Sequence, residues 1–279
     1  MTYEHVLFDV ADQVATLTLN RPEKRNAWNR QMGLEIRDAL QQADQRDDVR
    51  AVVVTGAGKD FCVGADLEGA GKVFEDARAR EAESGAPRLN LRAWDVRKPI
   101  IAALNGAVAG VGATLPLQWD IRLAGESTRI TFVFVKRGLV PEAASTWFLP
   151  RIVGMSRAAE LLLTGRLINA REALEYGLVS RVVPDAELLP AAHALACQIA
   201  SETAPVAVAL TKRLLWANAS EADPAAAEAL DSRVFGWTTQ SPDAREGIRS
   251  FLDKRPPRWT MRAAADTPGL DTFGAKKKP

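Results

Sequence analysis

Along the first half of the chain, hydrophobic positions alternate between two repeats. Val14, Ala15, Thr16, Leu17, Thr18 and Leu19 come close to the two-residue repeat of a half-buried strand, and residues 6–10 read the same way. Asn20-Arg21-Pro22 ends the second strand. Asn26 predicts a cap for a helix over 27–44, in which Met32, Leu34, Ile36, Ala39, Leu40 and Ala43 line one broad face. The unbroken apolar run 51–55 predicts a buried strand that delivers the chain into Gly64-Ala65-Asp66. Residues 69–95 then turn rich in Ala, Arg, Glu and Gly, the composition of a lid or variable helix over a pocket.

The same order repeats downstream. Lys98-Pro99-Ile100-Ile101-Ala102-Ala103-Leu104 restarts the sheet, and Asn105-Gly106 with Gly110-Val111-Gly112 leads into a helix through Leu115 and Leu117 to Trp119. This strand-loop-helix order puts the Val111 N–H near a positive helix end. Runs 121–124 and 130–133 predict strands, and Pro141 suits the first position of a helix carrying Trp147 and Phe148 toward Pro150. Beyond Ser156 the pattern is mostly helical, broken by one strand at 178–183. Val206, Leu210 and Leu214 recur every four residues, as on a packing and assembly surface.

Composition narrows the chemistry. A chain of 279 residues that is 47% hydrophobic can bury a full core, as one large domain or one domain with an appended helical segment. A net charge of +1 argues against nucleic acid or an anionic membrane as the main partner. Two cysteines, Cys62 and Cys197, are too few for a disulfide framework, and a reducing cytoplasm fits them best. The start shows no charged-then-apolar leader, no apolar run reaches the ~20 residues of a membrane span, and the lysine-rich end reads as a solvated tail. His5 and His193 are the only histidines, neither in metal-ligand spacing, so metal and Ser-His catalysis are poor expectations.

What remains is a site built from backbone. Glycines beside a reacting centre let the main chain approach closely, so that two peptide N–H groups can converge on one oxygen and hold the charge of an enolate. Among the carboxylates, Asp66 reads as a brace for its loop, Asp120 as a helix end, and Glu68 as a second catalytic candidate bordering the lid. Glu142, among Leu139, Val140, Ala143 and Trp147, is the leading acid/base candidate, although Pro-Glu is also a common helix start. Trp94, Phe132, Phe134 and Trp147 fit either a bulky pocket wall or ordinary core.

Asn20-Arg21-Pro22-Glu23-Lys24-Arg25-Asn26-Ala27, Phe61-Cys62-Val63-Gly64-Ala65-Asp66-Leu67, Asn105-Gly106 through Gly112, Asp120-Ile121, Thr164-Gly165-Arg166 and Ala173-Leu174-Glu175-Tyr176-Gly177-Leu178-Val179 form an ordered set. Together they resemble the enoyl-CoA hydratase/isomerase family, the crotonases, over about residues 2–254. The resemblance implies an α/β fold, a spiral of ββα units over 1–200 holding the CoA and acyl site. A helical trimerisation region over 201–260, commonly giving trimers or hexamers, and a tail over 261–279 would follow.

The ligand implied is an acyl-CoA thioester, as in fatty acid metabolism, with coenzyme A carried by the substrate and no separate cofactor or metal. An oxyanion hole maps onto the N–H groups of Ala65 and Val111. Lys24, with Arg25 as fallback, would face the phosphates; Val63, Ala65 and Leu67 would flank the adenine and pantetheine; Lys254 would reach a neighbouring subunit's nucleotide. The family's hydratases hold water between two glutamates, and here Thr114 and Phe134 take those places, neither able to trade a proton near neutral pH. Some family isomerases project one glutamate from the segment that Gly138-Leu139-Val140-Pro141-Glu142 resembles. A 3-enoyl-CoA isomerase leads, with an atypical hydratase or related lyase and an idle CoA-ester binder as alternatives.

Overall fold

The structure is a computed structural model that describes residues 3–67 and 92–274. Strands β1 (Val6–Ala11) and β2 (Val14–Leu19) form an antiparallel hairpin. Its two-residue turn, Asp12 and Gln13, has both φ angles positive, the hand that matches strand twist. From β2 the sheet continues in parallel through β3 (Ala51–Gly56), β4 (Ile100–Leu104), β6 (Ile121–Gly125) and β9 (Arg181–Val183). Every residue of β3 and β4 is buried, because a parallel sheet is covered on both faces and its strands are apolar on both.

Alternate residues serve opposite layers. Val52, Val54, Ile100 and Ala102 pack with Met32, Ile36 and Leu40 of α1 (Arg30–Gln45), whereas Ala51, Val53, Ile101 and Ala103 pack under Leu188, Ala192 and Ala196 of a long helix at 188–202. A second sheet, β5 (Ala107–Ala109), β7 (Arg129–Thr131) and β8 (Leu167–Asn169), lies beside the first.

The helices after α1 are α2 (Val111–Thr114), α3 (Ser145–Val153), α4 (Met155–Thr164), α5 (Ala170–Glu175) and α6 (Leu188–Glu202). They continue as α7 (Pro205–Asn218), α8 (Pro224–Thr238), α9 (Pro242–Leu252) and α10 (Ala263–Asp266). Val206, Leu210, Leu230, Val234 and Phe273 make a small separate core there. Among the described residues no single helix is long and apolar enough to cross a membrane.

Several boundaries differ from the sequence expectation. The cap of α1 is Asn29, whose side chain accepts from Met32 N–H, while Asn26 is fully buried with φ 54° and its amide ties two loops together. The helix after the second glycine loop is a single α-turn that tightens into a 3-10 turn, Leu115–Gln118, where Pro116 cannot donate to the ladder. The strand expected at 178–183 begins only at Arg181, because Leu178 and Val179 N–H groups close α5 on the Ala173 carbonyl. The helix expected from Pro141 begins at Ser145, since Ala143 and Ala144 are left-handed (φ 56° and 55°). The lid expected over 69–95 and the candidate Glu68 lie outside the described residues, save for residues 92–95.

Candidate functional site

The two glycine loops meet. A Cβ on Gly110 would come within 3.4 Å of Gly64 Cα, and one on Gly64 within 3.4 Å of the Ala109 carbonyl oxygen. Both glycines have positive φ, 104° at Gly64 and 53° at Gly110, so glycine answers both the torsion and the close approach.

Backbone pairing then fixes where Ala65 points. Trp28 N–H donates to Gly64 O and Asp66 N–H to Trp28 O, both at 2.8 Å, so the Gly64 carbonyl faces Trp28. Across a trans peptide the Ala65 N–H must face the opposite way. That is the side on which Cys62 pairs with Val108 and Gly64 abuts Gly110. Val111 opens α2 just past Gly110, and the first N–H groups of a helix have no intrahelical partner. Among the described residues neither the Ala65 nor the Val111 N–H has a protein acceptor. Because α2 is one turn long, its dipole adds little there.

Buried polar side chains lock these loops. Arg21 donates to Asp66 at 2.8 Å and to the Ala27 carbonyl at 2.6 Å, giving Asp66 the bracing role expected of it. Asn26 accepts from Arg21 N–H and donates to the carbonyls of Ala57 and Asp60. Asn105 donates to Gly56 and Gly58 carbonyls and accepts from Gly56 N–H, stitching the end of β4 to the loop after β3. Burial pushes the Asp60 carboxyl up. The Arg25 guanidinium at 2.7 Å and the Ala107 N–H at 2.8 Å outweigh that and hold it below the usual carboxylate range.

The candidate ligand residues flank this junction. Lys24 ends a 3-10 turn, Pro22–Lys24, and is half-buried; Arg25 is exposed with its Nε on Asp60. Val63 is half-buried, Ala65 and Leu67 are exposed, and Lys59 is exposed in the neighbouring loop. Lys254, exposed at a left-handed position (φ 53°), lies just past α9.

Glu142 approaches from a third loop. Its carboxyl accepts a short hydrogen bond from the hydroxyl of Thr114, one helical turn past Val111, and Thr114 is fully buried. The residue is exposed, with its carboxyl set against the buried Thr114 hydroxyl. Desolvation raises its pKa above the ordinary glutamate value, and the Thr114 bond pulls it partway back. Gln118 Nε2 holds the Ala143 carbonyl at 3.0 Å. Two consecutive non-glycine residues in the left-handed region cost about 1–2 kcal/mol each, a strain that collects at working sites. Ser145 Oγ, just after them, is the one buried side-chain oxygen without a hydrogen-bond partner among the described residues.

Sequence reasoning missed Thr114 as a partner of Glu142, since a separation of 28 residues carries no local signal. Of the aromatics, Phe132 is core, fully buried. Trp94, Trp147 and Trp216 gather around Phe148 at centroid distances of 4.8–5.7 Å, and Phe134 stays half-buried apart from them. Cys62 is buried and its thiol is pushed up to about 11 by desolvation, which suits a packed side chain and not a nucleophile.

The sequence model of enoyl-CoA hydratase/isomerase matches residues 9–262. The chain belongs to the enoyl-CoA hydratase/isomerase family. Members of that family act on acyl-CoA thioesters. The chain is 41% identical over 251 residues to an enoyl-CoA hydratase of Alternaria alternata, covering 89% of this chain and 83% of that protein. It is 35% identical over 269 residues to the 1,2-epoxyphenylacetyl-CoA isomerase of Escherichia coli, covering 92% and 98%. The crystal structure of enoyl-CoA hydratase from Bacillus anthracis superposes with a TM-score of 0.85 at 33% identity, over 92% of this chain and 99% of that one. The crotonase fold expected from the motifs is therefore the fold present.

Proposed function

We propose that this family member isomerises a 3-enoyl-CoA to the conjugated 2-enoyl-CoA with Glu142 as its single acid/base. The observation that carries the reading is the placement of the Glu142 carboxyl on Thr114, one turn beyond Val111, where a hydratase of the family would need a glutamate. In the proposed reaction the thioester oxygen accepts from the N–H groups of Ala65 and Val111. Glu142 takes a proton from C2, the electron pair moves through the thioester to that oxygen, and the dienolate collects there. Glu142 then returns the proton to C4 while the double bond settles between C2 and C3. One carboxylate suffices because the same proton leaves and returns; a hydratase must also activate water. A raised pKa suits a group that must give its proton back.

On this reading coenzyme A arrives with the substrate and no separate cofactor is needed. Lys24, with Arg25 as fallback, faces its phosphates, and Val63, Ala65 and Leu67 border the adenine and pantetheine, with Glu68 as the reserve carboxylate. The region 201–260 would trimerise, with Lys254 turned to a neighbour's nucleotide; exposed Leu215, Phe235, Ile248, Phe251 and Leu252 supply apolar surface for such contacts. A cytoplasmic setting completes the proposal.

Hydration is the second reading, favoured by the naming of the Alternaria relative as a hydratase. The absorbance of the conjugated thioester separates the two: it rises with 3-enoyl-CoA if the enzyme isomerises and falls with 2-enoyl-CoA if it hydrates. Neither change would leave a CoA-ester binder.

A further inference from the structure

Thr114 Oγ1 carries one hydrogen and has two acceptors in reach: the Glu142 carboxyl and, at 3.4 Å, the carbonyl oxygen of Val111 on its own helical turn. The side chain is fully buried, so no water competes for that hydrogen. We infer that Thr114 is a positioning residue that keeps Glu142 hydrogen-bonded in both of its ionisation states. When Glu142 is ionised, the hydroxyl donates to it. Once Glu142 has taken a proton, the carboxyl donates to Oγ1 and the threonine hydrogen turns to the Val111 carbonyl. A hydroxyl can reverse in this way because it both donates and accepts, which a carboxylate, an ammonium or a methyl group in its place does not do.

Among the described residues no other side chain offers that service. Burial and the Thr114 bond are the two influences on the Glu142 carboxyl, and no charged side chain pairs with it among the described residues. The charged groups of the surrounding elements are engaged or turned outward. Arg151 of α3 stacks on Trp147 with its guanidinium 3.9 Å from the ring centroid, and Asp120, after the 3-10 turn, pairs with Lys212 at 2.7 Å. Lys136 and Arg137 are exposed at the end of the 3-10 turn Val133–Arg137. Gln118, on the same stretch as Thr114, spends its amide on the Ala143 carbonyl, so it fixes the loop and leaves the carboxyl to Thr114.

The inference rests on Glu142 as the acid/base, and two readouts keep the two ideas apart. The first is a carbon-13 carboxyl titration of Glu142 by NMR, assigned with Glu142→Gln, in the wild type, Thr114→Val and Thr114→Ser. The second is the pH profile of kcat/KM for 3-enoyl-CoA in the same proteins. Valine keeps the volume and removes the hydroxyl. Because the bond to the ionised carboxyl is charge-assisted and the stronger of the two, losing both should raise the Glu142 midpoint in Thr114→Val, and the acid limb of the rate profile should move with it.

A hydrogen bond to a charged group is strong enough for a roughly ten-fold or greater loss of kcat/KM on the acid side. KM should change little, and Thr114→Ser should restore both midpoint and rate. An unchanged Glu142 midpoint in Thr114→Val overturns the inference, as does a serine variant as impaired as the valine one, which would make the methyl packing responsible. If the wild type does not isomerise, the proposed function fails while the titration still decides the role of Thr114.

Discussion

The junction of the glycine loops and the loop that carries Glu142 are built in opposite ways. At the junction, Asn26, Asp60 and Asn105 each make two or more hydrogen bonds to neighbouring segments, and Arg21 pairs with Asp66. The Glu142 loop has two left-handed alanines, an 83% exposed Val140, a Ser145 hydroxyl with no partner among the described residues, and side-chain bonds from Thr114 and Gln118. On the proposed function, the contrast follows from what each would have to do. A group that works through its main chain has no rotamer to adjust, so its peptide must be fixed from outside. A carboxyl that takes and returns a proton must instead be stable enough in two charge states and open to its substrate.

The sharpest break in this comparison is Glu142→Gln, which keeps shape and removes proton transfer. Isomerisation should fall by about 10²–10⁴-fold while affinity for a CoA ester, measured by calorimetry, holds. Full activity in the variant would remove Glu142 from the chemistry.

At the junction, Asn26→Ala strips two buried hydrogen bonds and one part-buried one and should destabilise by about 3 kcal/mol, a Tm lower by roughly 6 °C or more for a chain of this size. Calorimetry giving wild-type Tm would mean that the two loops are not held together by this amide.

Stability against pH sharpens the other side. A glutamate whose folded pKa is raised favours folding at low pH, and that contribution is lost as pH rises from about 4.3, its unfolded value, through the raised folded value. The amide introduced by Glu142→Gln does not titrate, so the variant should gain in Tm over the wild type from acid toward neutral pH and then level off. A wild type that gains on the variant over that window would reverse the sign and show Glu142 to be held in its ionised form.

The smallest effect belongs to Ser145→Ala. Removing a buried hydroxyl that has no partner among the described residues should be neutral or stabilise by up to about 1 kcal/mol. A denaturant midpoint corresponding to a clear loss would reveal a partner for Ser145 Oγ.

Much of the frame was legible along the chain. The alternation at 14–19 and the apolar runs at 51–55 and 100–104 mark strands whose pattern is set by burial, and those strands are where the pattern placed them. Gly64 and Gly110 were legible too, since few other residues tolerate both a positive φ and a neighbouring backbone that close. The misread boundaries share a cause. Asn26 has the chemistry of a cap, but its amide is worth more between two distant loops, and Pro141 has the geometry of a helix start that Ala143 and Ala144 then refuse.

By itself, then, the sequence determined the strands, the glycine positions and a short set of candidate carboxylates, because periodicity, torsional freedom and side-chain chemistry are local properties. The family could be read from the same residues. Tertiary structure decided that the Ala65 N–H turns toward the Gly110 loop and that Glu142 rests on Thr114. Both depend on segments far apart in the chain meeting in a crowded interior, where the free energy of a contact is set by what surrounds it and not by its neighbours in sequence.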